Sequence, residues 1–166
     1  MPTKQRRYVL KAKEAKQILD EATRTLDTNL ELLSNPKTTV EVVDSDVGMI
    51  YVLSKIPVLF KENDKMLPTL LFSEFIAKAP RIIVDMGAVP FVCKGATVMA
   101  PGIVSIEGTF KTGDIVVIAD VKHGKALAIG ESLMDSENAK KTKKGPIAKS
   151  NHYISDKIWD YIKNIS

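Results

Sequence analysis

The second half of the chain is divided into short apolar runs by closely spaced turn residues. Runs rich in Val, Ile and Ala alternate with segments that contain Gly, Pro, Asp or Asn. The predicted strands are Arg81–Val84, Thr97–Met99, Ile103–Ile106, Ile115–Ala119, Ala126–Ile129 and Ile147–His152. Short strands at such close spacing favour a small β-barrel. Short helices are expected at Ala88–Lys94, at Asp135–Lys140 with Asp135 or Ser136 as cap, and at Ser155–Ile165 with Ser155 as cap.

The first half combines a helical pattern with a second set of strands. Apolar residues recur every three or four positions over Lys11–Leu33, which predicts a helix that breaks near Asp27–Asn29. Pro57 indicates an edge position or a bulge, and Lys61–Lys65 is predicted to be a polar loop. Strands are predicted at Arg6–Leu10, Val40–Val43, Met49–Leu53 and Pro57–Phe60, and a short helix at Ser73–Ala77. Ala79-Pro80 is the best boundary candidate, so we expect two domains, at residues 1–79 and 80–166.

The single cysteine and the spread of apolar residues exclude several classes of protein. Cys93 alone cannot form an intramolecular disulfide or a multi-cysteine zinc site, which favours a reducing, cytoplasmic setting. No apolar run approaches the roughly 18–20 residues of a membrane span. The basic start of the chain is not followed by an apolar segment, so a secretory signal is not expected.

A mild positive charge suits a polyanionic partner without identifying one. The net charge is +4, and the excess lies in residues 81–166, with 12 Lys and Arg against 9 Asp and Glu. Lys140, Lys141, Lys143 and Lys144 form a predicted basic loop before Gly145-Pro146. Such a loop either is a solvated segment or, if it folds beside the glycine turns, binds phosphates.

The titratable residues do not form a recognisable catalytic set. His123 falls in a predicted hairpin turn and His152 near a strand end, and neither is spaced with Ser, Cys or a carboxylate as in a triad. Phosphate-binding loops, dinucleotide fingerprints and metal-ligand clusters are absent from the sequence. Cys93 and His152 are interpreted as packed residues. We therefore expect a protein that is not an enzyme and that needs no cofactor or metal.

Three glycines bracket a predicted helix, strand and sharp turn within a short segment. Gly87, Gly95 and Gly102 either are turn residues only or allow close approach of another backbone. The helix N-terminus near Gly87 would present free N–H groups to phosphates. Gly95 is expected to be a left-handed helix cap, and Gly102, after Pro101, the third residue of a type II turn with positive φ.

The segment around these glycines resembles the core signature of the PUA domain, an RNA-binding module. The pattern V-D-x-G-A-x-x-F-V-x-x-G-A-x-x-M-x-P-G is met at Val84, Asp85, Gly87, Ala88, Phe91, Val92, Gly95, Ala96, Met99, Pro101 and Gly102. Leu67–Leu70 before this segment and Asn151–Trp159 after it resemble the malignant T-cell amplified sequence and translation machinery-associated family, of which this chain is identified as a prokaryotic-type member.

The resemblance implies a fold, partners and a site. It implies an N-terminal α/β domain followed by a C-terminal PUA β-pseudobarrel, α+β overall. The expected role is binding of the tRNA acceptor end or small-subunit rRNA in translation initiation or ribosome recycling. The small ribosomal subunit and a density-regulated-protein-like factor are the expected partners. The implied RNA-binding residues are Gly87, Ala88, Lys94, Gly95, Ala96, Met99, Ala100, Pro101, Gly102, Ile103, Lys143 and Lys144.

Alternatives stay open at the level of the sequence. Met99 and Ile103 either contact a base or pack in the core. The chain could instead be an RNA-binding accessory subunit of a pseudouridine- or archaeosine-type tRNA or rRNA modifying enzyme, whose catalytic domain would lie on another chain. A third possibility is a protein–protein adaptor in which the glycine surface is only structural.

Overall fold

The computed structural model of the protein describes residues 5–166. The chain forms two compact units, one of Met1–Phe75 together with Tyr161–Ser166 and one of Ile76–Asp160. The border lies between residues 75 and 76, whereas the sequence predicts it between 79 and 80. Both units combine a β-sheet with helices, which confirms the predicted α+β class.

A five-stranded antiparallel sheet forms the centre of the first unit. Its strands are β1 (Arg6–Val9), β2 (Val40–Ser45), β3 (Gly48–Leu53), β4 (Ile56–Glu62) and β5 (Lys65–Pro68). The spatial order β1-β2-β3-β4-β5 is the order along the chain. Short turns join β2 to β5 in succession, whereas β1 and β2 are separated by residues 10–39, which contain two helices.

Two details of this sheet differ from the simplest sequence interpretation. The expected polar loop at Lys61–Lys65 is wrong, because Lys61 and Glu62 continue β4 and Lys65 begins β5. Asn63 and Asp64 alone make the turn, with φ of 50° and 63°, and two positive φ values are typical of tight hairpins. Pro57 lies in an interior strand at a register irregularity, so the bulge is the correct one of its two alternatives.

The helices of the first unit follow the predicted apolar pattern. They are α1 (Ala12–Leu26), α2 (Glu31–Ser34) and α3 (Ser73–Lys78), of which α3 continues past the border between residues 75 and 76. Asp27 adopts the left-handed conformation at the end of α1, which confirms the predicted break. Ala15, Leu19, Ala22 and Leu26 are the buried residues of α1, and they lie on one face because they recur every three or four residues.

The second unit contains a six-stranded sheet whose strand order departs from the chain order. Its strands are β6 (Arg81–Val84), β7 (Val98–Met99), β8 (Ile103–Glu107), β9 (Ile115–Asp120), β10 (Ala126–Ser132) and β11 (Pro146–Tyr153). The order is β7-β11-β10-β9-β6-β8, and the β6–β9 pair is parallel. All the strands predicted here are confirmed. Their inward side chains, among them Ile82, Val116 and Ile147, form the core of this unit.

Three further helices are α4 (Val89–Val92), α5 (Ser136–Lys141) and α6 (Lys157–Ile165). Asp135 caps α5 by accepting a hydrogen bond from the Asn138 N–H at 2.8 Å, as one of the two predicted alternatives requires. Lys140 and Lys141 lie in the last turn of α5, so the predicted basic loop is reduced to Lys143 and Lys144. Ser155 was predicted to cap α6, but Asp156 accepts the Trp159 N–H instead.

Candidate functional site

A shallow apolar groove, here called the α4 groove, opens beside α4 in the second unit. Its volume is about 150 Å³, and it is lined by Ala88, Phe91, Val92, Ala96, Thr97, Val98, Met99 and Gly102. The side chains of Phe91 and Met99 are 65% and 48% exposed, whereas Val92 and Val98 are buried. An exposed aromatic ring beside a small apolar cavity suits stacking against an unpaired nucleobase.

Small residues keep the two walls of this groove close together. A Cβ atom placed on Gly102 would lie 3.1 Å from the Cβ of Ala88, on the opposite wall. The Asp85 N–H donates to the Gly102 carbonyl at 2.9 Å, which ties the same two segments. The close approach of these two segments therefore leaves little room for a side chain at position 102.

The backbone conformation predicted for Gly102 is wrong. Its φ is not in the positive region, since Ala100–Gly102 form one 3-10 turn with Pro101 in its first positions. Proline fixes its own φ near −65°, a value that suits both a 3-10 turn and a type II turn, so Pro101 does not decide between them.

Gly95 ends α4 in the predicted left-handed conformation, with φ of 85°. A Cβ atom at this position would lie 2.7 Å from Cε1 of the Tyr153 ring. The Ser155 hydroxyl also donates to the Cys93 carbonyl at 3.2 Å. The end of α4, with the exposed Lys94, is thus held against the segment that follows β11.

The N-terminal end of α4 is occupied by a side chain of the protein itself. An Asp85 carboxylate oxygen accepts the Ala88 N–H at 2.8 Å, beside the exposed Gly87. The expectation of free N–H groups here is therefore wrong for Ala88. A carboxylate in this place also disfavours a second anion.

Lys143 and Lys144, the two lysines of the shortened basic loop, precede a segment that is hydrogen-bonded to β7 and the residue after it. The Ala100 N–H donates to the Gly145 carbonyl at 2.9 Å, and Pro146 pairs with Met99. Lys143 and Lys144 immediately precede this contact, and both are exposed. The loop therefore ends against the strand that carries Met99, which is the arrangement that favours the phosphate-binding interpretation of the lysines.

The other predicted site residues divide into groove walls and supports. Ala88, Ala96, Met99 and Gly102 line the α4 groove. Ala100 is buried, Pro101 is exposed, and Ile103 packs partly against the core, so core packing is the role the structure gives to Ile103. Phe91 was recognised only as part of the family pattern. Its exposure follows from the helix period, since Val89 and Val92 pack on the core and direct Phe91 outward.

Two titratable residues of the second unit, His152 and Cys93, are packed in or against its core. His152 is fully buried, as predicted, with Nδ1 2.8 Å from a carboxylate oxygen of Asp156. Burial raises the pKa of the Cys93 thiol, which suits a packed side chain and not a nucleophile. In residues 5–166, no three His, Cys, Asp or Glu side chains are placed to hold a metal ion. Over the same range, no helix has the length and apolar character of a membrane span.

Comparison with known proteins assigns both halves of the chain. Residues 80–154 match the family model of the PUA domain, and residues 6–74 match the model of a domain of unknown function, DUF1947. An uncharacterized protein of Methanocaldococcus jannaschii is 36% identical over 94% of this chain and 96% of that protein. Translation machinery-associated protein 20 of Saccharomyces cerevisiae is 31% identical over 92% of this chain and 86% of that protein.

A solved structure and a local match complete the comparison. The crystal structure of a PUA domain from Aeropyrum pernix, in a tartrate complex, has a TM-score of 0.84, with 24% identity over 97% of this chain and 92% of that chain. This likeness shows the fold. A segment of 81 residues, 49% of this chain, is 37% identical to 24% of a protein named probable tRNA pseudouridine synthase B from Pyrobaculum calidifontis. With an RNA-binding PUA module and relatives that match it along most of its length, the chain belongs to the family of translation machinery-associated protein 20.

Proposed function

We propose that the protein is a non-enzymatic translation factor that binds the unpaired end of a structured RNA in the α4 groove. The observation that carries this proposal is the pair of exposed apolar side chains, Phe91 and Met99, at a groove of small residues. Lys94 and the loop lysines Lys143 and Lys144 supply positive charge at its margins. A base stacked on Phe91 would leave its phosphates free to reach these lysines.

The RNA proposed for this groove is the tRNA acceptor end, small-subunit rRNA, or both. Each offers unpaired nucleotides next to a helix, which is the form in which proteins read RNA bases. The step is initiation or ribosome recycling, with the small ribosomal subunit as the assembly partner and a density-regulated-protein-like factor as a protein partner. Support comes from relatives named for the translation machinery, and the proposed location is the cytoplasm.

Replacing Phe91 by Ala is expected to weaken binding of an acceptor-end RNA about tenfold. Stacking of one base on an aromatic side chain contributes roughly 1–3 kcal/mol by alanine substitution. Val104→Ala is the matched control, because Val104 is 53% exposed in the same unit but does not line the groove. Equal affinities of the two variants in fluorescence anisotropy titrations would remove Phe91 from the proposed site.

Replacing Lys143 and Lys144 together by Ala is expected to flatten the salt dependence of RNA affinity. On single strands each neutralised phosphate contributes about −0.7 to the slope of log affinity against log salt, so the slope should change by about 1.4 if each lysine neutralises one phosphate. Lys13→Ala with Lys55→Ala changes the net charge equally in the first unit, where both lysines are exposed. If both double variants keep the slope of the unmodified protein, Lys143 and Lys144 are solvated residues that do not contact phosphate.

One alternative has an observation in its favour. The local match to a tRNA pseudouridine synthase allows the PUA unit to be an accessory RNA-binding subunit of a tRNA- or rRNA-modifying enzyme. Sedimentation of the tagged protein through ribosome gradients separates the two. Migration with the small subunit supports the translation factor, whereas a stable complex with a modifying enzyme away from ribosomes supports the accessory subunit. Salt-insensitive binding to protein without RNA would instead indicate the adaptor.

A further inference from the structure

The first unit contains a second, larger cavity, here called the α1 groove. Its volume is about 620 Å³, within the range of roughly 300–1,000 Å³ typical of small-molecule sites. One wall is a face of α1, formed by Ala12, Ala15, Lys16, Leu19, Asp20 and Thr23. Because a helix rises 1.5 Å per residue, this wall is about 16 Å long. The groove therefore runs along α1, with residues 33–40 as its opposite wall.

Small side chains on α1 keep this groove open. Ala12 and Ala15 are too short to fill the space in front of the first two turns of the helix, whereas Leu19 is long enough to pack deeper. Leu19, Leu33 and Val40 are buried and give the groove an apolar floor. Val9, which also lines it, is 67% exposed, so an apolar ligand would cover a side chain that now faces water.

Several of the polar groups along the walls already have hydrogen-bond partners within the protein. The pairs are Lys37 N–H with Asn35 Oδ1, Thr38 N–H with the Asn35 carbonyl, the Thr39 carbonyl with Ser54 N–H, the Val40 carbonyl with Leu10 N–H, and the hydroxyls of Thr23 and Thr38 with the Leu19 and Leu32 carbonyls. A peptide would bring N–H and C=O groups of its own that need partners here. A hydrocarbon chain has no such need, so these walls suit it better.

The charges at the rim select an anionic end group. Lys16 and Lys37 line the groove and are exposed, and neither makes an ion pair with another residue of the described range. Asp20 is the single carboxylate in the lining. The rim is therefore net positive, and the lysines can neutralise one carboxylate without losing an existing partner.

We propose that the α1 groove binds a fatty acid, which has a single hydrocarbon chain and one carboxylate. The hydrocarbon chain lies along α1 over Ala12, Ala15 and Leu19, and the carboxylate lies at Lys16 and Lys37. This site is independent of the α4 groove, because every residue that lines it belongs to the first unit.

Chain length and charge sign test the proposal directly. Octanoate, decanoate and dodecanoate, each below its micelle concentration, are titrated into the full chain by isothermal calorimetry. Affinity is expected to rise about fifteenfold for every two added methylenes, because each buried methylene contributes about fourfold. Dodecylamine, with the same chain and the opposite charge, is expected to bind at least fivefold more weakly than dodecanoate. Affinity that does not depend on chain length, or equal binding of the amine, overturns the proposal.

Variants locate the ligand in the groove. Ala12→Trp fills the open end from an exposed position, and Thr39→Trp does so from the opposite wall, so either folded variant is expected to lose dodecanoate binding. Lys16→Gln with Lys37→Gln is expected to weaken it about fivefold. Lys13→Gln, exposed on α1 but outside the lining, is the control and should bind as the unmodified chain does. A tryptophan variant with an unchanged circular dichroism spectrum and unchanged dodecanoate affinity would refute the site.

Discussion

Replacing Asp156 by Ala is expected to lower the free energy of unfolding by about 3 kcal/mol. Its carboxylate accepts three hydrogen bonds, from Nδ1 of the fully buried His152 at 2.8 Å and from the backbone N–H groups of Tyr153 and Trp159 at 2.9 and 2.6 Å. Truncation removes all three from a carboxylate whose side chain is 10% exposed, at about 1 kcal/mol or more each. Asp160→Ala, an exposed change in the same helix, is the control and should alter stability by less than about 0.5 kcal/mol.

The same carboxylate makes stability depend on acid. Burial opposes ionisation of Asp156, but the hydrogen bonds from His152, Trp159 and Tyr153 outweigh it and lower the pKa of the carboxyl. A group whose pKa is lower in the folded chain stabilises it above the unfolded value of about 3.9, and this stability is lost as the pH falls through the folded pKa. In urea unfolding, the gap between the unmodified chain and Asp156→Asn should therefore narrow from pH 7 to pH 3. A constant gap would contradict this role.

Replacing Gly95 by Ala is expected to cost about 2–4 kcal/mol of stability. The left-handed φ of 85° contributes about 1 kcal/mol for a residue with a Cβ atom, and the 2.7 Å approach to the Tyr153 ring adds an overpacking penalty of about 1–3 kcal/mol. Gly113→Ala separates these causes. Gly113 has a φ of 89°, yet no atom lies within 4 Å of its added Cβ, so its variant should show the backbone penalty alone.

A double-mutant cycle tests whether the Tyr153 ring is the clashing group. In a Tyr153→Leu background the added Cβ at Gly95 meets a smaller side chain, so the cost of Gly95→Ala should fall toward that of Gly113→Ala. Thermal unfolding of the four proteins of the cycle gives the coupling energy. If the costs of the two substitutions are additive, the Tyr153 ring is not the cause of the destabilisation by Gly95→Ala.

The strands could be predicted from the sequence, whereas turns and helix caps could not where two residues or two conformations were equally suitable. Ile115–Ala119 and Ala126–Ile129 stand out because their apolar runs are bounded by turn residues, and both form the predicted hairpin. The tight turn at Asn63-Asp64 was not predicted, because a run of polar residues after a strand is compatible with both a longer loop and a tight turn. Ser155 and Asp156 are both good caps by residue type, but Ser155 has a left-handed φ of 77°, which a cap does not adopt, and Asp156 also contacts His152. The parallel pairing of β6 with β9 has no local sequence signal at all.

The candidate site was predicted as a segment, but the roles within it depended on packing. The glycine pattern located the α4 groove. The reason for each glycine lies elsewhere, because a Cβ atom at Gly95 would contact Tyr153, which is distant in sequence, and one at Gly102 would contact Ala88 on the opposite wall. Phe91 was missed as a contact residue because a one-turn helix offers too few positions to show which side faces water. Lys143 and Lys144 gained their place beside β7 only through the hydrogen bond between Ala100 and Gly145.

The position of β7 at the end of its sheet bears on how the protein matures. β7 has two residues, and its strand neighbour is β11, through Met99 with Pro146 and Val98 with Ala148. Pairing across such a sequence separation lowers the folding rate, whereas the first unit's sheet pairs strands in chain order. Because a chain emerges from the ribosome N-terminus first, the wall that carries Met99 cannot be complete until β11 has been made. A nascent copy of this protein would thus acquire a complete α4 groove only after Pro146 and Ala148 have been synthesised.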